Sequence, residues 1–155
     1  MKPLIASLAV IVFLFSPQDS PMAFAALGGD AASIDADRAQ MKGSEELKQV
    51  STYTVHQLKG ASGTLVREYI SSGGSVFAVA WQGQFVPDMQ QLLGSYFDQY
   101  SAAVKSNKEA HAGRHPLNLQ LPGLIVQMNG YTHAYHFRAY VPQQVPAGVT
   151  EEELQ

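Results

Sequence analysis

From Thr52 onward, apolar and polar residues alternate in runs short enough for strands. Thr52-Tyr53-Thr54-Val55-His56-Gln57-Leu58, Thr64-Leu65-Val66-Arg67-Glu68-Tyr69-Ile70 and Ser75-Val76-Phe77-Ala78-Val79-Ala80-Trp81 are three such runs, rich in β-branched and aromatic residues. Gly60-Ala61-Ser62-Gly63 and Ser71-Ser72-Gly73-Gly74 separate them, and connections that short allow antiparallel pairing but no crossover. The third run is almost wholly apolar, as a central strand should be. After Pro87-Asp88 the period becomes helical. Met89, Leu92, Leu93, Tyr96, Phe97, Tyr100 and Val104 make one apolar stripe, which predicts a helix over residues 88–105. Asp88 suits its start and Lys105 and Lys108 its end, with Gly94 as the weak point, costing about 1 kcal/mol against alanine. Residues 106–120 read as a polar loop. Leu124-Ile125-Val126-Gln127-Met128, then Asn129-Gly130, then residues 131–141 read as a hairpin, because Asn-Gly favours the positive φ values of a tight turn. On the second arm Tyr131, His133, Tyr135, Phe137, Ala139 and Val141 share one face, and Thr132, Ala134, His136, Arg138 and Tyr140 the other. The expected fold is α+β over residues 51–141: an antiparallel sheet of about five strands, made of a three-stranded meander, one long helix and a hairpin, with the helix packed on one face.

The two ends of the chain read differently. Lys2 is followed by residues 4–15, an apolar run with one polar member, too short to span a bilayer comfortably. A stretch with Pro17 and Pro21 then leads to Ala23-Phe24-Ala25, small residues at alternate positions. Residues 1–25 therefore read as a secretory signal peptide cleaved after Ala25, and the product as exported, periplasmic or secreted. Residues 26–50 form an N-terminal segment, rich in alanine, glycine and aspartate up to Gly43, with one weak helical candidate at 33–41, and polar from Ser44 to Gln49. Residues 142–155 form a proline-containing acidic tail in which Thr150-Glu151-Glu152-Glu153 fits a capping box.

Composition narrows the classes. The 155 residues include no cysteine, which excludes disulfides, thiolate metal sites and cysteine catalysis. A net charge of −3 argues against nucleic-acid binding, and no second apolar run approaches spanning length, so no membrane span is expected after signal cleavage.

Several blocks are familiar in their order: Ala26-Leu27-Gly28-Gly29, Tyr53-Thr54-Val55-His56, Gly63-Thr64-Leu65-Val66-Arg67-Glu68-Tyr69 and residues 76–83. Pro87-Asp88-Met89-Gln90-Gln91-Leu92-Leu93-Gly94, Arg138-Ala139-Tyr140-Val141-Pro142 and Val145-Pro146-Ala147-Gly148-Val149 follow. In these blocks the chain resembles a family of small exported bacterial proteins, domain of unknown function 2844, over nearly all of the sequence after Ala25. The resemblance implies an exported bacterial protein and carries over no catalytic residue.

Candidate chemistry is sparse. His133 and His136 fall on opposite faces of a strand and cannot share an ion without a bulge. His111 and His115 have helical chelate spacing, but Gly113 and Pro116 break that helix. No nucleophile motif or phosphate loop is present. Glu68 is a general acid/base only if buried, and the stronger expectation is an exposed or cross-strand-paired carboxylate. Arg138 and Tyr140 share the more polar face of the last strand, with Trp81 nearer the sheet end, and these three are the candidate binding residues. The leading expectation is an exported, non-catalytic module that binds a protein, peptide or envelope component, without cofactor or metal. A metal-dependent or acid/base hydrolase using the 106–120 loop, and a small-ligand carrier, stay open as alternatives.

Overall fold

The computed structural model describes residues 27–30, 44–60, 63–110, 116–131 and 134–155. The expected signal peptide, the helical candidate at 33–41, and His111, His115 and His133 lie outside them.

Among the described residues, seven strands form one antiparallel sheet: β1 (Ser44–Gln49), β2 (Tyr53–Lys59), β3 (Leu65–Ser71), β4 (Val76–Gly83), β5 (Leu117–Leu121), β6 (Leu124–Tyr131) and β7 (Ala134–Tyr140), in the order β1-β2-β3-β4-β7-β6-β5. This corrects the expectation of a five-stranded sheet with a three-stranded meander. The meander has four strands, and the last unit is three strands rather than a hairpin. Strand β1, Ser-Glu-Glu-Leu-Lys-Gln, carries one large apolar residue, and that residue, Leu47, is exposed. It is a strand through its ladder with β2 and not through burial, and its charges suit a sheet edge. Strand β5 does alternate, with Leu117, Leu119 and Leu121, and turns into β6 through Pro122 and Gly123. Gly123 has φ +73°, the composition and backbone of a type II turn.

The β6–β7 reversal also differs from the expectation. Asn129 pairs with His136, Gly130 with Tyr135 and Tyr131 with Ala134, so Asn-Gly lies inside the ladder. A Cβ on Gly130 would stand 2.2 Å from the Ala134 carbonyl oxygen. Glycine is needed there for close backbone approach, which leaves the hairpin-turn signal pointing at the wrong position.

The helical stripe forms as α1 (Met89–Leu93), a 3₁₀ turn (Gly94–Tyr96) and α2 (Phe97–Ala110). The break falls at Gly94, which takes φ +50°, so the expected single long helix is two joined pieces. Asp88 caps α1, its Oδ1 accepting from the backbone N–H of Gln90 and Gln91 at 2.9 and 3.1 Å. Asp88→Ala should therefore cost about 1 kcal/mol in a denaturant melt, and Asp88→Asn much less.

Each face of the sheet is covered. Leu58, Val66, Val79, Trp81, Phe137 and Ala139 face Leu92 and Leu93, with Tyr96, Phe97 and Tyr100 packed against them. On the opposite face, Tyr53, Tyr69, Phe77, Ala78, Ala80 and Tyr140 gather around Leu154. A register shift at Tyr69/Ile70 brings the consecutive residues Phe77 and Ala78 to that same side. Residues 142–155 thus run across a sheet face. Their two short 3₁₀ turns, Pro142–Gln144 and Glu151–Glu153, include the expected capping box, with Thr150 N–H donating to Glu153 Oε2 at 2.7 Å.

Candidate functional site

The face away from the helices has a near-mirror arrangement about β4. Arg67 on β3 and Arg138 on β7 both pair with Ala80, and Tyr69 and Tyr140 both pair with Ala78. With neighbouring strands about 4.8 Å apart, each like pair stands about 10 Å apart across an alanine floor. One strand further out, Gln57 pairs with Arg67 and Gln127 with Arg138. Arg67 Nε donates to Gln57 Oε1 at 3.0 Å, and Arg138 Nε donates to Gln127 Oε1 at 2.6 Å. Each glutamine anchors its guanidinium from the outer side and leaves the Nη groups for a third partner.

Residues 151–155 are that partner. Arg67 Nη1 and Tyr69 OH both donate to the main-chain oxygen of Gln155, at 2.7 and 2.8 Å. At the other end Arg138 Nη2 lies 3.1 Å from Glu151 Oε2 and Tyr140 OH donates to Glu151 Oε1 at 2.5 Å. Arg138 Nη1 also donates to the Glu151 carbonyl. Leu154, 1% exposed, is seated between the two ends. Charge-assisted hydrogen bonds of this kind are stronger than neutral ones and fix geometry as well.

Two cavities flank this contact, and Gln155 is a wall of both. The larger, about 350 Å³, is lined by Gln82, Gln127, Asn129, His136 and Arg138. The smaller, about 250 Å³, is lined by Gln57, Arg67, Tyr69, Lys48 and Glu153 among others. Amide, imidazole and guanidinium groups suit a ligand with oxygen acceptors.

Burial raises both tyrosine hydroxyls to about 12. At Tyr140 the hydrogen bond and charge of Glu151 add to the rise and Arg138 opposes it; at Tyr69 the Arg67 charge opposes it. An unfolded tyrosine ionises near pH 10, so between pH 10 and about 12 the folded chain holds more protons than the unfolded one. The stabilisation is complete below pH 10 and is lost as pH rises through about 12. Urea midpoints measured from pH 9 to 12 should be level at first and then fall, and Tyr140→Phe should make the fall shallower.

Of the three sequence-predicted residues, the structure brings Arg138 and Tyr140 together and sets the Trp81 ring apart. Trp81 is 1% exposed and stacks on Phe137 in the helix-side core, with ring centroids 6.1 Å apart and an 18° interplanar angle. It is also one of the residues that line the larger cavity. Glu68 is fully buried, in register with His56, which overturns the exposed alternative of the expectation and leaves the cross-strand-paired one. His56 Nδ1 lies 2.6 Å from Glu45 Oε1. Arg67, Tyr69, Gln57, Gln127 and the 151–155 segment were not singled out from the sequence. The available signal was the repeated Arg-x-Tyr, at Arg67-Glu68-Tyr69 and Arg138-Ala139-Tyr140. Among the described residues no group of three or more His, Asp or Glu side chains is placed to hold a metal ion, and no helix is long and apolar enough to cross a membrane.

Comparison with known proteins adds one match. The family described as "Protein of unknown function (DUF2844)" covers residues 23–154. No curated protein and no solved structure matches the chain.

Proposed function

Since the chain belongs to the DUF2844 family of proteins of unknown function, we propose from the site alone that it is a non-catalytic binding module. In this reading the protein is exported by bacteria to the periplasm or beyond and holds a protein, peptide or envelope component on the β3–β4–β7 face. The observation that carries the reading is the Arg67/Tyr69 and Arg138/Tyr140 arrangement, with an open polar cavity on either side of Gln155. Convergent donors at fixed spacing recognise oxygen-bearing ligands, and their anchoring by Gln57 and Gln127 limits the ordering cost of binding. Export is supported by the sequence of residues 1–25.

Two experiments test this. The purified chain, immobilised, is probed with a peptide array and with cell-wall fragments. Wild type should retain members of one of these classes, and Arg138→Ala should weaken retention about tenfold or more, as loss of a charge-assisted contact does. Retention of nothing, or equal retention by the variant, overturns the binding reading. N-terminal sequencing of protein recovered from the bacterial envelope fraction should begin at Ala26; a start at Met1 overturns the export reading.

A further inference from the structure

We infer that the ligand of this face is an acidic peptide segment with a carboxylate residue three positions before a leucine, and that residues 151–155 are the chain's own copy of it, bound in cis. This rests on the binding reading above and names its ligand. The requirements follow from the groove. At one end Arg138 and Tyr140 together hold a carboxylate, that of Glu151. In the middle, Ala78 and Ala80 are small enough to leave a seat between the tyrosines, and Leu154 fills it. At the other end Arg67 and Tyr69 hold a main-chain oxygen, that of Gln155. A carboxylate, an apolar knob and a main-chain oxygen, in that order, are what the occupant supplies: Glu151-Glu152-Glu153-Leu154-Gln155. Two guanidiniums on one face favour an acidic occupant over a neutral one.

The segment is built to be exchanged. No strand pairing joins residues 150–155 to the sheet, and Glu153 and Leu154 N–H bond only locally, to the Thr150 and Glu151 carbonyls. Leu154 is buried, while Glu151, Glu152, Glu153 and Gln155 are exposed. The hold is therefore one leucine and the donors at the two ends. A segment tethered a few residues away has a local concentration of about millimolar. A partner displaces it by making further contacts, and the cavities of about 350 and 250 Å³ beside Gln155 provide them.

The test uses the full chain and a fluorescent synthetic peptide, Val-Thr-Glu-Glu-Glu-Leu-Gln, the sequence of residues 149–155. Glu151→Ala with Leu154→Ala unseats the internal segment. That double variant should bind the peptide at least tenfold more tightly than wild type, and adding Arg67→Ala and Arg138→Ala should abolish the gain. A double variant that melts cooperatively but binds no better than wild type, or binds a scrambled peptide equally, overturns the inference. A measurement on wild type stands independently of how the variant folds. Saturating peptide should speed hydrogen exchange of the Leu154 amide at least tenfold, and unchanged exchange overturns displacement. If this peptide fails while another ligand is retained in the Arg138-dependent assay, only the present inference falls; if nothing is retained, both readings fall.

Discussion

Leu93→Asp is expected to abolish the cooperative melting transition at room temperature and above. Leu93 has no exposed surface and lies where α1 meets the sheet, against the cluster that holds Val79, Trp81 and Leu92. Removing the leucine alone costs about 2–5 kcal/mol, the range for a core Leu→Ala change. Burying a carboxylate there adds several kcal/mol more unless it takes up a proton. Against a total stability of about 5–15 kcal/mol, the sum empties the native state. Far-UV circular dichroism during heating checks this. Leu93→Ala, the milder variant, should still melt cooperatively at lower temperature. A Leu93→Asp chain that melts like wild type would mean that the helical stripe does not cover the sheet.

Trp81→Ala is the second large effect, a loss of about 3–5 kcal/mol. The indole is opposite Val66 on one side and Phe137 on the other, stacks on Phe137, and lies 6.4 Å from the Tyr135 ring. Truncation leaves a cavity in the most enclosed part of the sheet. Trp81→Phe should cost about 1 kcal/mol or less, because it keeps a ring and removes the indole N–H, which has no hydrogen-bond acceptor among the described residues. Chemical denaturation followed by circular dichroism separates the variants, since Trp81 is the only tryptophan. A ligand held on the other face should be retained by Trp81→Phe as by wild type, which separates a core role for this residue from a binding one.

What the sequence disclosed follows the strength of its apolar pattern. Strand β4 was legible as a short, almost wholly apolar run and the stripe from Met89 to Val104 by its helical period, and both are packed into the core. Gly94 was legible as the weak point of a helix expected to run through it, and there the helix gives way to a 3₁₀ turn. Strand β1 was not legible, because an edge strand of charged residues has no apolar alternation to read. The leucine alternation of β5 was present but hidden beside a run of histidine, glycine and proline. Asn129-Gly130 misled because glycine serves close strand approach as well as turns. The site was half legible: strand alternation placed Arg138 and Tyr140 on one face, but only the register of β3 against β4 shows that Arg67 and Tyr69 mirror them. Residues 142–155 read as an acidic tail outside the core domain, since Leu154 is the only large apolar residue after Val149. Its burial depends on a seat made by strands far away in the chain.

The central claim is that the face bearing Arg67 and Arg138, and not the helix side or the β1 edge, receives the ligand. A ¹⁵N-resolved titration of the full chain with whichever ligand the Arg138-dependent assay retains tests it directly. Amide shifts should concentrate at Gln82, Gln127, Asn129, His136 and Arg138, around the larger cavity, and at Leu154 and Gln155. Shifts gathered instead on α1 and α2, or on β1 around the exposed Leu47, would contradict it.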